Sequence, residues 1–251
     1  MPNELTDQTD SHDAGGNAHG GASPLRTELT EHLPFSVSSV ALGLTVAGII
    51  CALVPEGAAS HSAFGAGPAG PLFHLFHPSH TFFSAAATTA MFWRYDRKLW
   101  LAVLIGMIGA VGVCGISDIL MPYAAQVVLQ VFGRVTGELH LHICVIEEPG
   151  LVLPFAVAGV FVGLGAARTV GRSTLFSHSL HVFTSTMASI FYLIGPFDRL
   201  AWIDSLGLVF VFVIAAVMIP CCLSDIVFPL AATKSVRHRM YHGGDSHDGS
   251  T

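Results

Sequence analysis

Six stretches of this 251-residue chain, at about 33–54, 71–93, 99–121, 150–168, 174–195 and 202–230, approach or exceed the roughly 20 apolar residues needed to span a bilayer. In hydrocarbon every backbone N–H and C=O must find its partner within the protein, so stretches of this kind fold as helices. The composition fits: 52% of residues are hydrophobic and 11% are charged, against about 25% charged in soluble domains. The second stretch carries His74, His77 and His80, which shortens it on hydropathy alone. The expected fold class is all-α, a polytopic integral membrane protein with six transmembrane helices. Residues 1–27 contain no apolar core of a cleavable signal, so the first span is also expected to direct insertion.

Lys and Arg set the expected orientation. With the N-terminus in the cytoplasm, the inner segments hold Arg26, Arg94, Arg97, Lys98, Arg168, Arg172, Lys234, Arg237 and Arg239, and the outer segments hold Arg134 and Arg199. Nine of the eleven basic residues thus fall inside, which by the positive-inside rule favours a multi-pass cell-membrane protein with both termini cytoplasmic. The net charge of −6 lies mostly in tails and loops, and no basic stripe suited to nucleic acid is present.

The chain also repeats itself. His77-Pro78-Ser79-His80-Thr81-Phe82-Phe83-Ser84 is echoed by His178-Ser179-Leu180-His181-Val182-Phe183-Thr184-Ser185, the pattern HxxHxFxS. Cys114 to Pro122 is echoed by Cys221 to Pro229 as CxxSDIxxP, and LPFxVxxVxxGLxxA opens at both Leu33 and Leu153, preceded at one spacing by Glu28 and Glu148. Three pairs in one order indicate tandem duplication. The boundaries that follow are a disordered tail at 1–27, a first three-helix repeat at 28–125, an external connecting segment at 126–147, a second repeat at 148–232 and a disordered tail at 233–251. Three spans per repeat invert the second half in the bilayer, and inverted repeats place their sites where the halves meet. Full-length helices would set His77/His80 towards the outer half and His178/His181 towards the inner half, giving two half-sites.

The repeated residues are those that can hold a cation. Residues three and four apart share a helix face, so His77, His80, Ser84 and Thr88 form one polar ladder and His178, His181, Ser185 and Ser189 another. Asp118 and Asp225 lie in or near spans with no intramembrane Lys or Arg, where a carboxylate lines a pathway or pairs with a cation. The candidate metal ligands are therefore His77, His80, Asp118, His178, His181 and Asp225. Secondary candidates are Ser84, Ser185, Ser117, Ser224, Cys114 and Cys221 beside them, Glu28 and Glu148 before the spans, and His140, His142 and Glu147 in the connecting segment. Imidazole and carboxylate together suit Zn, Mn, Ni, Co or Fe. Five cysteines, odd in number and mostly within spans, argue against a disulfide framework. Gly106, Gly109, Gly112 and Gly115 in the third span read as a packing stripe, and Pro78, Pro122, Pro154 and Pro229 as places where a helix frees a carbonyl.

In its duplication, its size and its intramembrane His and acidic residues the chain resembles the small exporters of the LysE, nickel/cobalt-exporter and manganese-exporter superfamily. That resemblance implies a 3+3 inverted-repeat fold and export of a cation. The His-rich HxxxxD first span of the nickel exporters is absent, and no residue role is carried over. The expected function is secondary transport of divalent transition-metal ions as substrate, with proton exchange, because the chain holds no nucleotide-binding motif. The partners are then the lipid bilayer, the metal ion and protons, in a monomer or homo-oligomer. Two alternatives use the same ligands: a membrane metalloenzyme, oxygenase or hydrolase, around a fixed metal, and a haem-binding protein with histidines from two spans. Duplication favours transport over catalysis, since enzymes seldom need an inverted copy of a site.

Overall fold

The computed structural model of the chain describes residues 24–53, 69–166, 174–197 and 200–222. Among these residues the protein is all-helical. In order come α1 (Pro24–Leu53), α2 (Ala69–Tyr95), α3 (Leu99–Gly115), a π-helical segment (Ile116–Leu120), α4 (Met121–Val131), the single turn α5 (Cys144–Glu147), α6 (Pro149–Ala166), α7 (Thr174–Ile194), a 3-10 turn (Ala201–Ser205) and α8 (Leu206–Cys222). Among the described residues four stretches are long and apolar enough to cross a membrane: Leu33–Leu53, Leu99–Val131, Pro149–Ala166 and Ala201–Pro220. These are compatible with a membrane protein. The helices α2 and α7 are long too, at 27 and 21 residues, but they carry the polar ladders.

Around a buried apolar core, the described helices also enclose many polar side chains. The polar helix α2 packs against α3, α6 and α7, and α1 packs against α7 and α8. From His181 to Ile194 every side chain of α7 except Phe183 is buried, which makes α7 a central element. The outer helices keep large apolar side chains exposed, among them Leu42, Ile49, Ile108, Phe161 and Val211. Hydrogen-bonding groups are thus gathered inside, where protein can satisfy them, and apolar groups face outwards, as hydrocarbon requires. Several hydroxyls are satisfied locally: Thr81 Oγ1 donates to the His77 carbonyl (2.9 Å) and Thr186 Oγ1 to that of Val182 (2.8 Å).

Contacts fix the helix directions. Down the α2–α7 interface Phe73 meets Tyr192, Phe76 meets Phe191 and His80 meets His181, so these helices run antiparallel. Ser39 approaches Thr186 and Gly43 lies on Thr186, Met187 and Ile190, so α1 and α7 run the same way. On the other side Gly159 lies on Phe82 and Ala85, and Gly163 on Ala86 and Thr89, so α6 and α2 are also parallel. At Gly159 and Gly163 the neighbouring backbone carbonyls come so near that no side chain would fit. In the stripe of the third span only half of the expected packing is found. Gly106 and Gly109 are buried, but Gly112 and Gly115 have nothing within 4 Å.

The third span also runs further than its composition suggests. Helix continues through the π segment and α4 to Val131, into the stretch assigned above to the connecting segment. It stops at Gly133, whose φ of 67° is the left-handed conformation glycine adopts without a Cβ penalty. The N–H groups of Gly133 and Arg134 close the end by donating to the carbonyls of Gln130 and Leu129, both at 2.9 Å, as in a Schellman motif.

Candidate functional site

The site begins with a local irregularity. Pro122 has no N–H to donate to the carbonyl of Asp118, and immediately before it the chain winds as a π helix over Ile116–Leu120, with Met121 N–H reaching back to Ile116. Such bulges insert one residue into a helix and re-aim those around it. Here Ser117, Asp118 and Ile119 are all buried in succession, so two consecutive polar residues face inwards, which a regular helix face does not provide.

The Asp118 carboxylate is fully enclosed and accepts from four donors. Its Oδ2 takes Nδ1–H of His77 (2.8 Å) and of His80 (2.7 Å). Its Oδ1 takes the hydroxyls of Ser117 (2.8 Å) and of Ser185 from α7 (3.2 Å). With both imidazoles donating through Nδ1, each keeps Nε2 as its second polar atom. His80 Nε2 lies 3.7 Å from Cys114 Sγ. The His80 ring packs edge-on against His181 with centroids 4.6 Å apart, and His77 stacks on Phe73 at 5.2 Å. Ser189 Oγ donates to the Ser117 carbonyl (3.1 Å), tying α7 to the π segment. Ser84 is buried on the same face of α2.

Of the sequence candidates, His77, His80, Asp118, Ser117, Cys114, His181 and Ser185 therefore converge. Full-length helices suggested two half-sites, yet one histidine of each set lies against the other. The antiparallel helices α2 and α7 bring His80 and His181 into ring contact. The side chains of Glu28, His178 and Cys221, and the residues Ser224 and Asp225, lie outside the described residues.

A second cluster forms where the connecting segment folds back over the end of α7. His142 N–H donates to the Tyr192 hydroxyl (3.1 Å), and Gln126 Nε2 donates to the Tyr192 carbonyl (2.6 Å). This seats His142 and Cys144, both buried, beside His74 of α2. His74 Nε2 lies 3.4 Å from His142 Nε2 and 3.6 Å from Glu148 Oε2. His142 Nδ1 donates to Glu147 Oε2 (2.7 Å), and Glu147 Oε1 accepts the N–H of Ile143 (3.1 Å). His140 is exposed. Burial holds the His142 imidazole below its ordinary pKa, with Glu147 pulling the other way. Burial disfavours the Glu147 carboxylate, but the Ile143 N–H and the His142 ring together outweigh it and lower its pKa. Burial, reinforced by the charge of Glu148, pushes the Cys144 thiol up to about 12.

Sequence reasoning passed over His74. The position that corresponds to it in the second half is Leu175, so no echo marks it. Its signal was the spacing His74-x-x-His77-x-x-His80, one step longer than the repeated motif. Cys114 and Cys144 are not joined in disulfides, as the cysteine pattern implied. Comparison with protein-family models, with curated proteins and with solved structures returned no match for this chain.

Proposed function

We propose that the protein is a secondary transporter of divalent transition-metal ions, an exporter with proton exchange, built from six membrane spans in two inverted three-helix repeats. Both termini lie in the cytoplasm, and the substrate site sits between the halves. The observation that carries this reading is the contact of His80 with His181. These residues correspond under the HxxHxFxS repeat, and corresponding residues of an inverted pair touch one another only at the pseudo-two-fold axis.

The packing of the outer helices supports the same axis. Gly43 and Gly163 correspond under the LPF repeat, as Met187 and Ile190 correspond to Ala86 and Thr89. Gly43 lies on Met187 and Ile190, and Gly163 lies on Ala86 and Thr89. Likewise Ser39 with Thr186 matches Gly159 with Ala85. By the same correspondence Asp225 and His178 supply the second half of the site.

The chemistry follows from charge. A carboxylate enclosed among neutral groups is costly unless something compensates it. A proton on the Asp118–His77–His80 group does so when the site is empty, and a cation held by imidazole Nε2 does so when it is loaded, so metal and proton exchange. Imidazole selects first-row transition metals over Mg or Ca. Uptake and resistance assays with Zn, Mn, Ni, Co and Fe test this reading. Asp118→Asn and His181→Ala are each expected to abolish the metal phenotype, and undiminished transport in both would exclude this site.

A further inference from the structure

We infer that His74, His142 and Cys144, with Glu148 as fourth ligand, form a separate tetrahedral metal site of the Zn type at the end of the helix bundle. It stands apart from the Asp118 group, with the aromatic pair Phe73 and Tyr192 between them, and does not depend on the transport reading.

The first argument is spacing. His74 Nε2 and His142 Nε2 face each other at 3.4 Å, beyond the usual range of about 2.7–3.2 Å for a good N–H hydrogen bond. Two nitrogens each about 2.0–2.1 Å from a tetrahedral Zn ion are separated by about 3.3 Å. The Cys144 sulfur completes a group whose ligand atoms all lie within 4.8 Å of one another. Glu148 Oε2 lies 3.6 Å from His74 Nε2 but outside that group, and its half-exposed side chain has to swing in to take the fourth position.

The second argument is the support behind the ligands. His142 donates its Nδ1–H to Glu147, which directs its Nε2 towards His74. Glu147 is itself held by the Ile143 N–H, and the His142 backbone by Tyr192. A carboxylate behind a ligating imidazole is the arrangement that fixes its tautomer and orientation at metal centres. Glu147 is therefore a positioning residue. Two imidazoles, one thiolate and one carboxylate match Zn, and a thiolate disfavours Mg, Ca and Mn. On binding, the Cys144 thiol gives its proton to solvent and the sulfur takes the metal.

The test is titration of the purified, chelator-stripped full-length protein in detergent with Co2+ as a spectroscopic stand-in, followed by competition with Zn2+. The wild type should give tetrahedral ligand-field bands and a thiolate-to-cobalt charge-transfer band, both displaced by Zn2+. Cys144→Ser should lose the charge-transfer band, whereas Cys114→Ser should keep it. His74→Ala should weaken affinity at least tenfold, and Glu147→Gln by about 10–100-fold. Asp118→Asn should keep the thiolate-to-cobalt band, whatever cobalt it loses from the transport site, which separates failure here from failure of that site. Absence of a thiolate–cobalt band in the wild type, or its persistence in Cys144→Ser, would overturn the assignment.

Discussion

Asp118 holds four donors on two oxygens, and two of them are imidazoles packed in helix α2. Asparagine at this position would turn an amide N–H towards groups that themselves donate. Breaking a buried charge-paired group costs about 3–5 kcal/mol, and losing one neutral hydroxyl bond about 1 kcal/mol. Asp118→Asn should therefore lower thermal stability in detergent markedly more than Ser185→Ala, and the reverse order would show that the hydrogen-bonded carboxylate is not what holds this region together. Asp118 was legible in the sequence because the SD pair recurs at Ser224-Asp225. His74 was not, because Leu175 breaks the echo and only folding brings the connecting segment onto it.

Elements meet here through small residues. At Gly163 the backbone of α2 is in contact through Ala86, so a side chain would have to force α6 away. Gly163→Leu is expected to destabilise by about 1–3 kcal/mol, the range for overpacking. Gly112→Ala, in open space on α3, should be neutral or should stabilise by about 1 kcal/mol through helix propensity. Thermal unfolding of the two variants side by side checks both, and equal behaviour would refute the close approach of α2 and α6. The sequence signalled glycine spacing in α3 but could not say which glycines touch a neighbour, since that depends on helix rotation. It also ended the third span too early. Pro122 suggested a break, whereas the π segment absorbs the missing N–H and the helix runs on to the stop at Gly133.

Across the whole molecule, the polar ladders read from the sequence fall on the helices that pack inside. The four most apolar stretches lie outermost in character, with large side chains exposed, and the two helices bearing His, Ser and Thr pack against each other. What sequence could not decide was whether the two polar ladders would meet. That depends on how α2 and α7 pack, and their interface brings the rings of His80 and His181 together. If the two halves share one cation site there, each histidine is needed for the same step. The direct measurement is metal and proton movement in liposomes holding the purified protein, with an internal metal indicator and a pH dye read together. Wild type should move Zn2+ or a neighbouring transition metal against protons, and His80→Ala and His181→Ala should each abolish both signals together. Metal movement that survives in either variant, or that proceeds without a proton signal, would refute a shared, proton-coupled site.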